Sequence, residues 1–215
     1  PGLSMRQLLS AALTPAPGSL FLGLASDGHP VVARLTPQFR PLLLTADHGS
    51  GLLSLAQTAV ATARHFDPQL GVAVVTEQPD AWAGIARTYV PAQLTELAAR
   101  VRQWQPAAPT QRLLIVLDEL SSYWGMTPQT ILNLNGQAGV HVIATARPSY
   151  AATIHQALGG WGHVPAITLV IGHVGDQRAL QALTHPVPLT FPLGYGTFAL
   201  RHKSAWMLVV TATTP

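Results

Sequence analysis

Pro41-Leu-Leu-Leu-Thr-Ala-Asp-His-Gly-Ser-Gly-Leu-Leu-Ser54 decides how this chain folds. The apolar run Leu42 to Leu44 reads as a buried strand, Gly49 and Gly51 as a tight turn, and the Ala- and Leu-rich pattern from Leu52 to about Arg64 as a helix. Strand, glycine turn and helix in this order form a phosphate-binding loop when the turn reads G-x-x-x-x-G-K-[ST]. Backbone N–H groups, a Lys and a Mg²⁺-binding hydroxyl then surround the phosphates. Here the eight positions are Ala46, Asp47, His48, Gly49, Ser50, Gly51, Leu52 and Leu53. The turn is kept, while the Lys and the hydroxyl are replaced by leucines and Asp47 adds a negative charge. Losing the charge-assisted Lys contact alone weakens phosphate binding by roughly tenfold to a hundredfold. The only Lys of the chain, Lys203, is far away in sequence. Ser54 stands one position late for a metal ligand, and only a shifted loop would recruit it.

Outward from the loop, further apolar runs alternate with helical patterns. Gly71–Val75, Leu113–Leu117, Val140–Ala144 and Ala166–Ile171 read as buried strands, and Pro91–Trp104 as an amphipathic helix with Leu94, Leu97, Val101 and Trp104 on one side. Before the loop, Leu20–Leu24 and Val31–Leu35 flank Asp27-Gly28, a hairpin turn signal. A short helix is expected over residues 3 to 14, stopping before Pro15-Ala-Pro-Gly. Strands that are apolar throughout and separated by helices predict an α/β fold, a mainly parallel sheet covered on both faces. In such sheets the functional crevice lies at the carboxyl ends of the strands. Asp47, Asp118, Glu119, Thr145 and Arg147 all follow strands, so they are expected to converge there.

Composition limits the alternatives. A chain of 215 residues suits one domain, taken as 1–215 with a leader hairpin over 16–38. Charged residues are 10% of the chain, against about 25% in an ordinary soluble domain, and 48% are hydrophobic, so the chain should bury much of itself or pack on neighbours. No apolar run approaches the ~20 residues that span a bilayer, and no signal-peptide pattern opens the sequence, which suggests a cytoplasmic protein or the cytoplasmic part of a longer one. The first residue is Pro1, not Met, which is read as a piece of a longer parent. There is no Cys, and the nine His show no metal-ligand spacing. The net charge of +3 is mildly basic, and its Arg residues are spread along the sequence, a thin footprint for DNA.

Several segments together resemble the motor domain of the FtsK/SpoIIIE DNA translocases, in the FtsK–HerA group of P-loop ATPases. Phe21–Arg34 resembles the hairpin that precedes the loop, and Leu113–Leu120 the Walker B strand. Ala138-Gly-Val-His-Val-Ile-Ala-Thr-Ala-Arg-Pro-Ser149 is similar to a segment that usually ends Thr-Gln-Arg-Pro-Ser. Asp176-Gln-Arg178 resembles a short Asp-Ser-Arg motif, and Leu193-Gly-Tyr-Gly196 a turn before the last strands. The resemblance implies a RecA-like core. It gives Asp118 the role of Mg²⁺-orienting carboxylate and Glu119 that of the base, and makes Thr145, Arg147 and Arg178 sensor or intersubunit residues. The sensor Gln falls on Ala146, and an Arg after the next strand's Ile-Pro falls near Ile167. With Leu52 and Leu53, these departures strike phosphate binding, metal binding and γ-phosphate sensing.

Three functions follow as expectations. The first is a pseudo-ATPase, a scaffold or partner-binding module that associates with itself, a related ATPase or another protein and needs no cofactor. Some type VII secretion ATPases similarly carry degenerate FtsK-like domains in tandem. The second is an ATP-driven double-stranded DNA translocase working as a ring, with ATP and Mg²⁺ if the loop is competent and Asp118 as the metal's carboxylate. The third, a serine hydrolase using Ser50 beside His48, fails because G-x-S-x-G requires Gly where His48 and Leu52 stand.

Overall fold

The computed structural model describes residues 16–122, 133–135, 138–157, 167–202 and 205–211. The helix expected over residues 3 to 14, the start of the fourth strand at Ala166, and Lys203 lie outside them.

A leader hairpin of β1 (Ser19–Ala25) and β2 (Pro30–Arg34) turns at Asp27-Gly28, where Gly28 adopts φ 82°. Then follow β3 (Leu42–Thr45), α1 (Leu52–Phe66), β4 (Gly71–Val75), β5 (Arg87–Tyr89), α2 (Leu94–Arg102) and β6 (Leu113–Leu117). The chain continues through β7 (Val140–Ala146), α3 (Pro148–Ala157), β8 (Thr168–Ile171), α4 (Gln177–Thr184), β9 (Thr197–His202) and β10 (Ala205–Val210). Among the described residues these strands form one ten-stranded sheet in the order β2-β1-β10-β9-β8-β3-β7-β6-β4-β5. From β8 to β5 all neighbours run parallel, and β9, β10, β1 and β2 extend the sheet antiparallel.

Side-chain alternation explains why the central strands are apolar at every position. Leu43, Val75, Ile115, Val142 and Leu169 face one core, where Leu97 and Val101 of α2, Ile154 of α3 and Leu183 of α4 pack on them. Leu42, Leu44, Val74, Leu114, Val116, Ile143 and Val170 face the other, filled by Leu55, Ala56, Ala59, Val60 and Ala63 of α1. Leu20, Leu22 and Val31 join this second core, so the hairpin closes over α1. The expected helix of Pro91–Trp104 is a 3₁₀ turn at Pro91–Gln93 followed by α2, which ends at Arg102. The expected α/β sheet with helices on both faces is what the chain forms. It places the ends of β3, β4, β6, β7 and β8 side by side along one edge.

Candidate functional site

The turn after β3 joins a buried strand to α1 through two glycines. Gly49 and Gly51 take φ 79° and 86°, a left-handed region that costs an L side chain of order 1 kcal/mol and glycine little. Gly51 caps α1 without a side-chain acceptor, and the first turn of the helix carries no acid. The positive end of the helix therefore faces the carboxyl edge without a protein carboxylate at its cap. Leu52 and Leu53, expected in the Lys and hydroxyl positions, are half-buried and pack on the α1 core. Asp47 turns sideways: its Oδ2 accepts the Gly175 N–H at 2.6 Å, and its own N–H donates to the His173 carbonyl at 2.8 Å. The loop is thus stapled to the segment that follows β8. Ser50 is buried, with its N–H donating to the Asp47 carbonyl at 3.2 Å.

Asp118 and Glu119 follow β6, two strands over from β3. The Asp118 Oδ1 accepts from the Thr145 hydroxyl at 3.0 Å, and its Oδ2 accepts from the Thr76 hydroxyl and the Trp82 indole N–H, each at 3.0 Å. Thr145 also accepts the Glu119 N–H at 2.7 Å, so one buried hydroxyl ties both acids to the end of β7. Glu119 sits at φ 56°, a strained position for a side chain of its kind. Its carboxylate accepts from the Ser121 hydroxyl and lies 3.7 Å from the Arg147 guanidinium.

A cleft of about 800 Å³ opens between these elements. Of the residues singled out from sequence, Asp47, His48, Gly49, Gly51, Leu52, Leu53, Ser54, Asp118, Glu119, Thr145 and Arg147 line it. Ser50 and Arg178 are not part of its lining. The Asp176 carboxylate caps α4, accepting the Arg178 and Ala179 N–H groups at 2.9 and 3.3 Å, and Arg178 itself is exposed. Thr76, Glu77, Trp82 and Tyr195 escaped the sequence reading as site residues. Thr76 and Glu77 follow β4 directly, and the rule that pointed to Asp118 after its own strand would have found them. Tyr195, 63% exposed, stands over the loop; a Cβ on Gly51 would lie 3.8 Å from its ring.

No protein-family model matches the chain, and no curated protein does. Solved structures do. The cytoplasmic domain of the type VII secretion ATPase EccC of Thermomonospora curvata is similar at TM-score 0.68 and 13% identity, over 95% of this chain and 28% of that one. ATPases 2 and 3 of the same protein, in complex with a signal sequence peptide, match at 0.68 and 13% identity over 94% of this chain and 42% of that one. EssC (ATPases 2 and 3) from Geobacillus thermodenitrificans matches at 0.67 and 12% identity, over 100% and 45%. The pCW3 conjugation coupling protein TcpA with ATPγS matches at 0.60 and 13% identity, over 90% and 65%. This chain therefore spans less than half of the EccC and EssC chains it matches. At these identities the likeness shows the fold alone: an α/β sheet arranged as in these ATPase domains.

Proposed function

We propose that the chain is an FtsK-type P-loop domain that works as a scaffold and partner-binding unit and does not hydrolyse ATP. One observation carries this reading. Both oxygens of the Asp118 carboxylate are taken up by protein donors, Thr145 on one and Thr76 with Trp82 on the other. A carboxylate held in this way is a structural anchor, each bond to it contributing about 1.5 to 3 kcal/mol. Recruiting it to Mg²⁺ competes with those bonds, and Leu53 offers no second oxygen ligand. With Leu52 and Leu53 offering neither a cation nor an oxygen, the residues present do not fit Mg–ATP. Lys, metal and base act as a unit in that chemistry, so Glu119 alone, turned to Ser121 and Arg147, leaves it without effect.

The reading extends to partners of protein character. ATPases 2 and 3 of EccC are described in complex with a signal sequence peptide, and the EccC and EssC domains occur in chains that hold several ATPases. A cytoplasmic setting accords with this, and no described helix is long and apolar enough to cross a membrane. The test is Mg–ATP turnover by the purified chain beside calorimetric titration of ATP and ADP with and without Mg²⁺. No turnover, and no Mg²⁺-dependent gain in affinity, is expected. Turnover abolished by Glu119→Gln would overturn the proposal in favour of an active motor.

A further inference from the structure

One face of the leader hairpin is buried without belonging to either described core. Residues paired across antiparallel strands share a face. Leu20 with Ala33, and Val209 with Phe198, face the core that α1 fills. Phe21 with Val32, and Leu24 with Pro30 and Val210, therefore point to the opposite side. Among the described residues α1 is the helix packed on β1, and neither core includes Phe21 or Leu24. Both are buried all the same, Phe21 at 2% exposure and Leu24 at 9%. β1 itself reads Ser-Leu-Phe-Leu-Gly-Leu-Ala, with no polar alternation between its two sides. A strand solvated on one face alternates apolar with polar; one apolar on both sides is covered on both. None of these residues lines the cleft, so the second cover serves a different surface.

We propose that the cover is the chain's own N-terminal segment: residues 3–14 dock as a helix on this face, with their apolar stripe across Phe21 and Leu24. Met5, Leu8, Leu9, Ala12 and Leu13 recur at i, i+3, i+4, i+7 and i+8, one side of a helix, and Gln7, Ser10 and Thr14 fall on the other. Twelve helical residues reach ~18 Å, enough to cross four strands spaced ~4.8 Å apart. The described chain begins at residue 16, three residues before β1, and turns at Pro17-Gly18, where Gly18 takes φ 76°. A short turn there brings the preceding residues back over the strand they lead into. Other occupants suit the face less well. Residues 212–215 read Ala-Thr-Thr-Pro, too short and polar for it. Residues 158–166 join α3 to β8, three strands from β1, and their three glycines break any stripe. A second copy does not explain why Phe21 is already buried within a single chain. The contact is independent of whether the cleft turns over nucleotide.

The chain has no Cys, so introduced thiol pairs report cleanly on the whole protein. Val32 and Met207 are each 37% exposed and lie on opposite faces of the same strands, since Met207 pairs with Leu200 on the α1 side. The test is cross-linking with a bis-maleimide of about 10 Å reach, the width of a helix. Ser10→Cys with Val32→Cys should be joined within one chain, and Ser10→Cys with Met207→Cys should not. Adding Leu8→Asp and Leu9→Asp to the first pair should abolish the cross-link and raise the binding of an apolar dye, with the sheet signal in circular dichroism retained. If the aspartates unfold the chain, the comparison of the two thiol pairs decides alone. Equal cross-linking of both pairs, no cross-link to Val32→Cys, or a cross-link that persists in the folded Leu8→Asp, Leu9→Asp variant overturns the proposal. So does a cross-link that forms only between chains, which would assign the face to a second copy.

Discussion

Thr145 supports more of the site than either acid it touches. Its hydroxyl donates to Asp118 and accepts from the Glu119 N–H, the backbone group of the one described non-glycine residue at positive φ. Thr145→Val keeps the shape and removes both bonds, leaving a half-buried N–H unpaired and a carboxylate short of one donor. A loss of about 2 to 4 kcal/mol is expected, read from urea denaturation. Sequence pointed to Thr145, as to Asp118 and Glu119, because each directly follows an apolar run. Trp82 did not stand out, since it lies 36 residues before the carboxylate it binds. A hydrogen bond between residues that far apart leaves no local pattern, and Trp82 sits in a 3₁₀ turn with no periodicity to mark it.

At the scale of elements, the central strands were legible because a strand buried on both faces must be apolar at every position. β5 was missed: three residues, Arg87–Tyr89, are too few for any period, and its place beside β4 is set by the sheet. The order that puts β9 next to β8 and β10 next to β1 was not legible either, since it depends on long-range pairing. The entry of α1 shows what the local sequence does fix. Gly51→Ala puts a Cβ at φ 86° in ordinary van der Waals contact with Tyr195 and Gly196, so conformation rather than clash sets its cost. A loss of about 1 kcal/mol in a thermal or urea melt is expected, with the fold retained. A much larger loss would mean that the loop is held by contacts beyond its backbone.

For the whole molecule, the two cores share one sheet, and each encloses side chains that must stay uncharged. His141 in β7 and His155 in α3 are buried, and burial, assisted by Arg112 and Arg201 respectively, lowers each pKa from 6.5 to about 4. The unfolded chain takes up these protons near pH 6.5 and the folded chain only near pH 4. Above pH 6.5 neither histidine affects stability. Between pH 6.5 and about 4 each should remove up to about 1.4 kcal/mol per pH unit, the loss levelling off below. Urea midpoints at pH 7.5, 6 and 5 check this; a midpoint that holds constant to pH 5 would contradict it. The indole of Trp82, fully buried with its N–H on the Asp118 carboxylate, has a consequence of another kind. A chromophore is wired to the floor of the cleft, so any ligand or partner that draws Asp118 away must shift its emission. The protein carries an intrinsic optical gauge of whether its site is engaged.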